Sequence, residues 1–187
     1  MRADPTPPLS SFQQAALFTL RTAIGWHFLY EGLYKLRMPG WTADGQPIAA
    51  WSAAGFLKAS TGPLGKLAHL SVDAGLLPWI DKLVAIGVAA VGFSLILGLL
   101  TRAGCIGGLI LLGMFYFLNV PTAGLPQPQA EGSYLLVNKT LIEGLAVLAL
   151  MSFDTGRIAG LDRLWRERRQ NSLAVPAADR GVVGQGS

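Results

Sequence analysis

The chain has 187 residues, of which 51% are hydrophobic and 14% are charged, and its mean hydropathy is +0.43. Soluble domains carry about 25% charged residues, so this composition argues against an ordinary soluble protein and favours an integral membrane protein. The net charge of +4 does not indicate a nucleic-acid-binding protein, because the excess arginine lies in the segment 157–169, directly after a hydrophobic run. A basic flank in that position marks the cytoplasmic side of a membrane.

The N-terminal part of the sequence predicts a loose cytoplasmic arm and then a long helix. Residues 1–10 are rich in proline, a composition typical of a segment without regular structure. The first span is predicted over about 11–37, because Ser11 suits the start of a helix and the Pro39-Gly40 pair ends one. The segment lacks a signal-peptide pattern, so we expect this first helix to be retained.

Four ionisable side chains lie within the first span, namely Arg21, His27, Glu31 and Lys35. Inserting such a group into hydrocarbon costs roughly 2.5–3.5 kcal/mol for an arginine or lysine. His27, Glu31 and Lys35 recur every four residues and therefore share one face of the helix. We expect this face to point into a helix bundle, towards polar partners or water.

The connection over 38–78 predicts an outer insertion of short helices. Its apolar run 48–59 includes Trp51 and Phe56 but is too short and too interrupted to cross a bilayer. Tryptophan in a short apolar segment is typical of a surface-lying or re-entrant helix in the membrane interface. A second short helix is predicted over 63–70.

Three further spans are predicted, at about 79–100, 103–120 and 134–153. The first two each include 18 consecutive uncharged residues, which is enough for a spanning candidate. The last one contains Lys139 and Glu143. Together with the first span and a short amphipathic piece after the last, they define a membrane domain over 11–169. Residues 170–187 are expected to be disordered.

The sequence therefore predicts an all-α integral membrane four-helix bundle with an interfacial helical insertion between the first two spans. The short flanks on one side of the membrane contain Arg102 and the arginines of 157–169. The positive-inside rule places those flanks, and with them both termini, in the cytoplasm. The expected location is the inner membrane of a bacterium, with the lipid bilayer as surroundings and no nucleic acid as partner.

The first and last spans run antiparallel in this arrangement, so that position in the sequence gives depth in the membrane. At a rise of about 1.5 Å per residue, Glu31 lies about 6 Å outward of His27, and Lys139 lies about 6 Å outward of Glu143. The predicted contacts are therefore His27 with Glu143 and Glu31 with Lys139. Such a cluster either fixes the register of the helices or handles protons at a ligand.

Haem and metal ions are not expected at this cluster. His27 and His69 are the only histidines in the sequence, and His69 lies in the outer insertion, so facing spans do not supply two histidine ligands. Cys105 is the only cysteine and lies in an apolar run, where a buried thiol is expected.

The order of several short motifs resembles that of the DoxX/DoxD-type membrane proteins over about residues 15–165. The similar segments are 21–36 (the opening helix, ending in Gly-x-x-Lys-Leu), 51–58 and 61–63 (the outer insertion of the DoxD branch), 98–102 (the turn between the second and third helices) and 138–143 (the last helix). The resemblance implies a membrane subunit that binds quinone and passes electrons into it, as in thiosulfate:quinone oxidoreductase. It also implies a separate membrane or periplasmic partner subunit.

Two functions stay open at this point. In the first, quinone reduction requires protons, which we expect from His27, Glu31, Lys139 and Glu143. Contacts to the bound quinone are expected from Arg21, Tyr30, Tyr34, Lys35 and Trp51, with Arg21 serving as a headgroup or structural anchor. In the second, the chain is a non-catalytic accessory or scaffold subunit that packs against a larger membrane complex.

Overall fold

The computed structural model of the chain describes residues 9–36, 51–121, 133–158, 160–162 and 168, and these are mostly helical. The described elements are, in chain order, α1 (Ser11–Lys35), α2 (Ala54–Lys58), α3 (Gly65–Asp73), α4 (Leu77–Leu97), α5 (Thr101–Leu118), β1 (Ser133–Tyr134), β2 (Val137–Asn138), α6 (Lys139–Ser152) and a 3-10 helix (Thr155–Arg157). Most of the predicted N-terminal arm, the C-terminal tail and most of the amphipathic piece before it lie outside the described residues.

Helix α1 is capped by a reciprocal pair of hydrogen bonds, one residue earlier than the predicted cap. The backbone N–H of Gln13 donates to Oγ of Ser10 (3.2 Å), and the backbone N–H of Ser10 donates to Oε1 of Gln13 (2.8 Å). This capping box satisfies two N–H groups that have no partner within the helix. The helix begins at Ser11, as predicted, but its N-cap is Ser10 and not Ser11.

Helices α4 and α5 are long and apolar enough to cross a membrane. They match the two uncharged runs of the sequence, each beginning two residues before its predicted span. Pro78 lies in the first turn of α4, where its missing N–H removes no helical hydrogen bond. Gly98 ends α4 with φ +60°, a left-handed conformation that glycine adopts without steric cost.

The turn between these two helices is closed by a carboxylate from the far end of the chain. Leu100 also has a positive φ, of +52°. Asp162 accepts hydrogen bonds from the backbone N–H of Leu100 through Oδ1 (2.7 Å) and of Thr101 through Oδ2 (2.9 Å). Asp162 thus replaces a local N-cap for α5, which has none from its own turn.

Asp162→Ala is expected to lower the free energy of unfolding by about 1–2 kcal/mol, because the first N–H groups of α5 lose their acceptor. Denaturant unfolding in detergent would measure the change. Asp73→Ala is the matched control, since Asp73 is exposed at the end of α3. Equal losses in the two variants would contradict the capping role of Asp162.

The predicted start of the fourth span, 134–153, is wrong. α6 begins at Lys139 and has 14 residues, and a pair of antiparallel strands precedes it. Asn138 is extended, and its Oδ1 accepts a hydrogen bond from the backbone N–H of Leu141 (2.9 Å), so it acts as the N-cap of α6. At 1.5 Å per residue, α6 is about 21 Å long, which is shorter than a hydrocarbon core of about 30 Å.

The four longest helices pack in a closed order, with α1 on α4, α4 on α5, α5 on α6 and α6 on α1. Their shared core contains Phe28, Val84, Val88, Val91, Leu95, Cys105, Leu112, Val147 and Leu150. Cys105 is a buried free thiol, as expected. Helices α1 and α4 approach each other closely, with Gly32 against the backbone of Ala89 and Gly92 against that of Leu29.

The described part of the insertion, residues 51–76, contains two short helices, as predicted, and it covers one end of this packed unit. The backbone N–H groups of Gly62 and Leu64 donate to the carbonyl oxygens of Leu118 (2.9 Å) and Phe117 (3.2 Å). These carbonyls end α5 and have no partner within their helix. The backbone N–H of Ala53 donates to Oδ1 of Asp81 on α4 (2.7 Å). The insertion is therefore hydrogen-bonded to both central helices.

Candidate functional site

The polar face of α1 meets α6 at an imidazole–carboxylate contact. Nε2 of His27 lies 3.2 Å from Oε1 of Glu143. Nζ of Lys139, one turn earlier on α6, lies 3.7 Å from the same oxygen. The predicted approach of His27 to Glu143 is therefore confirmed, and one carboxylate oxygen is shared by an imidazole and an ammonium group.

The second predicted contact, between Glu31 and Lys139, is not an ion pair. Glu31 is paired with Lys35, one turn along its own helix. Lys139 acts on Glu31 only through longer-range electrostatic attraction. Both partners of the predicted pair are engaged by closer groups four residues away, because side chains at that spacing on a helix are neighbours.

The insertion reaches the polar face through an aromatic contact. The ammonium group of Lys35 lies 5.2 Å from the ring centroid of Trp51, a distance typical of a cation–π interaction. Trp51 also packs against the helical core. Lys35 therefore joins Glu31 to the beginning of the described insertion, and an aromatic ring lies beside the cluster of charged groups.

Two tyrosines continue the same face of α1. Tyr30 and Tyr34 follow His27 by three and seven residues, a spacing that places all three along one side of the helix. Tyr30 is half-buried, whereas Tyr34 is exposed. The face therefore combines ionisable groups with amphipathic aromatic rings.

Arg21 lies in a different part of the molecule from this cluster. It is 1% exposed, and its Nη1 donates a hydrogen bond to the backbone oxygen of Thr155 (2.7 Å). The guanidinium is also attracted by the Asp162 carboxylate. The structure thus associates Arg21 with the segment that caps α5, and not with His27 and Glu143.

Sequence reasoning missed the polar residues that hold the elements in place. Asp81 and Asp162 were not among the candidate residues, although they accept hydrogen bonds from chain segments 28 and about 60 residues away. A contact between an aspartate and such a distant segment cannot be recognised from the spacing of residues in the sequence.

The arrangement can exchange protons and hydrogen bonds with a polar ligand. Two carboxylates, two ammonium groups and one imidazole surround the contact between α1 and α6. His27 keeps 34% of its side chain exposed, so part of the imidazole is open to a ligand. Among the described residues, no three histidine, cysteine, aspartate or glutamate side chains are grouped as metal ligands.

Comparison with known proteins gives no relative, since no protein-family model, no curated protein and no solved structure matches the chain.

Proposed function

We propose that the chain is a multi-pass protein of the bacterial inner membrane, in which α1, α4, α5 and α6 form a membrane four-helix bundle. The support is the character of the outward helix faces. Leu83 on α4 is 74% exposed, and Ile110 on α5 and Leu145 on α6 are also exposed. Helices that face water carry charged and polar residues on that side. Exposed apolar faces on three neighbouring helices are expected to contact the acyl chains of lipids.

The short α6 is compatible with this proposal because the segment before it is also apolar. Leu135 and Leu136 form the turn of the strand pair, Val137 begins the second strand, and all three are exposed. Turns in water favour glycine, asparagine and aspartate. The turn is held to α5, since Oη of Tyr116 donates a hydrogen bond to the backbone oxygen of Leu136 (2.7 Å). The turn and α6 together extend the apolar surface.

Single-cysteine labelling tests the orientation with both termini in the cytoplasm. In a Cys105→Ala background, a membrane-impermeant thiol reagent is expected to label Thr61→Cys in intact spheroplasts. It is expected to label Arg168→Cys only after lysis. Both sites are exposed in the structure. Labelling of Arg168→Cys before lysis would refute the orientation.

We further propose that the cluster between α1 and α6 binds a quinone and supports its reduction, as the resemblance to DoxX/DoxD-type proteins implies. The observation that carries this proposal is the His27–Glu143 contact, which is partly open and has ionisable neighbours. Quinone reduction needs proton donors close to the carbonyl oxygens. The indole ring of Trp51 beside Lys35 offers an apolar surface next to the polar groups, which fits an amphipathic ring. A partner subunit would deliver the electrons.

Quinone occupancy of the purified protein tests this function. We expect the wild type to retain quinone, and His27→Ala and Glu31→Gln to lose it by about tenfold, since each loses a hydrogen-bonding group at the site. His69→Ala is the matched control, because the second histidine is exposed on α3. Equal occupancy in all four proteins, or none in the wild type, would refute the quinone site.

A scaffold role is the second candidate, and one feature of α4 favours it. Its exposed residues Trp79, Leu83, Ile86, Phe93 and Leu97 follow a spacing of three, four or seven residues. This spacing is typical of a seam that packs against another helix. In the scaffold case, deletion of the chain lowers the abundance of a larger complex, and the His27→Ala variant restores that abundance fully.

A further inference from the structure

We infer that the His27–Glu143 contact exchanges protons only with the aqueous phase at one end of the helix bundle, the end covered by the insertion. An apolar layer across all four long helices separates the contact from the opposite end. The inference rests on the proposed function, which consumes protons, and it adds the side from which they come. Reduction of one quinone to the hydroquinone takes two electrons, delivered by the partner subunit, and two protons, one for each carbonyl oxygen. In the proposed orientation, both protons come from outside the cell.

Charged side chains connect the contact to the insertion end. Nζ of Lys139 lies 3.7 Å from Oε1 of Glu143, and 67% of the lysine side chain is exposed, compared with 15% for the glutamate. Lys139 is the first residue of α6, and a lysine near the end of a spanning helix extends its ammonium group to the interface. On α1, the Glu31–Lys35 pair leads to the insertion, since Lys35 also contacts the ring of Trp51. The half-buried carboxylate therefore has ionisable neighbours that extend towards water at this end.

On the other side of the contact, all four long helices meet in an apolar layer. Val147 lies one helical turn after the carboxylate, and Phe28 directly follows the imidazole in the chain. A Cβ atom on Gly108 of α5 would meet side chains from the other three helices at 3.3–3.8 Å, namely those of Phe28, Val91 and Val147. These three side chains are buried. Each helix therefore contributes to one layer directly behind the imidazole and the carboxylate.

A second layer lies behind the first. Its side chains lie three or four residues further from the insertion and are fully buried, namely Leu95, Cys105 and Leu150. Closely packed apolar side chains leave few voids that can hold a water molecule, and apolar voids in proteins stay dry. We therefore expect no chain of water molecules to cross these two layers.

The helices also lack side chains that could carry a proton across these layers. Segments 22–26, 88–97, 103–112 and 144–152 contain no aspartate, glutamate, histidine, lysine or arginine. Their hydroxyl groups donate to backbone oxygens at 2.7–2.9 Å, from Thr22, Ser94 and Ser152. The next ionisable group on α1 is Arg21, which is buried and hydrogen-bonded to Thr155. In the described part of the chain, polar groups thus lead from the contact to the insertion end alone.

Cysteine accessibility in right-side-out and inverted membrane vesicles tests this sealing. In a Cys105→Ala background, single cysteines are treated with a charged, membrane-impermeant methanethiosulfonate. Lys139→Cys and Glu143→Cys are expected to react more than about tenfold faster from the side on which the exposed Thr61→Cys reacts, because a charged reagent from the other side must cross apolar layers. Val147→Cys, within the first layer, is expected to react from neither side.

Reaction of Glu143→Cys at similar rates from both sides, from neither side, or only from the side opposite Thr61→Cys would overturn the inference. Fast reaction of Val147→Cys would overturn it as well. The wild type gives a second measurement in case Glu143→Cys does not fold. An impermeant quaternary-ammonium carbodiimide, followed by mass spectrometry, is expected to modify Glu143 from the Thr61 side. Modification from the opposite side, or from neither, would again overturn the inference.

The sealing and the proposed function fail in distinguishable ways. The accessibility of the cysteines and of the carboxylate does not depend on a bound quinone. A wild type without quinone refutes the proposed function, whereas the pattern of modification still decides whether the contact is open to one end or to both.

Discussion

Gly92→Ala is expected to lower the free energy of unfolding by about 2–3 kcal/mol, a large cost for one added methyl group. A Cβ atom at this position would overlap the backbone nitrogen and Cα of Leu29 on α1. A backbone cannot move aside as the end of a side chain can, so α1 and α4 must separate. That separation weakens the packing between α1 and α4. Denaturant unfolding in detergent measures the change.

Gly113→Ala is the matched control for this prediction. Gly113 lies within α5, and a Cβ atom there would meet no atom within 4 Å. Replacing glycine by alanine inside a helix stabilises it by up to about 1 kcal/mol when there is space. The two variants should therefore change stability in opposite directions. Equal changes would show that α1 and α4 do not depend on this close approach.

The central helices could be predicted from the sequence because a long run of uncharged residues indicates both the apolar surface and the length of a spanning helix. Each uncharged run of 18 residues has about the length of one helix, and Thr101 and Arg102 between the runs indicate a turn. The structure places α4 and α5 within a few residues of the predicted spans. The local sequence was enough to predict the bounds of α4, since Pro78 lies at its start and Gly98 at its end.

The beginning of α6 could not be predicted in the same way. The residues Leu135, Leu136 and Val137 are as apolar as those of a spanning helix, yet the first two form a turn and the third begins a strand. Leu135 has φ +53°, a conformation that leucine rarely adopts. The turn is also held from outside, by the hydroxyl of Tyr116. Hydropathy does not distinguish an apolar turn held by tertiary contacts from an apolar helix.

The candidate site was predictable to the extent that it depends on helix geometry. Depth along antiparallel helices correctly placed His27 beside Glu143. Depth alone did not place Glu31 and Lys139 correctly, because each of them has a closer, oppositely charged partner on its own helix. An intrahelical pair needs only a side-chain rotamer, whereas a pair between helices also needs the right rotation of both.

The polar residues of α1 thus divide between two regions with different neighbours. His27, Glu31 and Lys35 face α6 and the insertion. Arg21 is separated from His27 by six residues, or about 9 Å of helical rise, and contacts the segment after α6. A variant of Arg21 should therefore change stability and leave quinone binding in the folded fraction unchanged.

Arg21→Leu is expected to lower the free energy of unfolding by about 3 kcal/mol, because removing one member of a buried polar contact leaves its partner without compensation. The backbone oxygen of Thr155 would lose its hydrogen bond from Nη1, and the carboxylate that caps α5 would lose a nearby positive charge. Arg21→Lys should recover only part of the loss, because an ammonium group cannot reproduce the planar, forked guanidinium. Denaturant unfolding and hydrogen exchange at the start of α5 measure both effects.

Arg102→Leu provides the matched control near the same turn. Arg102 is paired with Asp154, with 3.2 Å between Nη2 and Oδ2, but its side chain is 65% exposed. Exposed ion pairs contribute about 0–1 kcal/mol, because water and salt screen the charges. Arg21→Leu should therefore cost several times more than Arg102→Leu and should increase hydrogen exchange at the start of α5. If both variants lose the same small amount of stability, then the buried contact between Arg21 and Thr155 does not hold this end of the protein together.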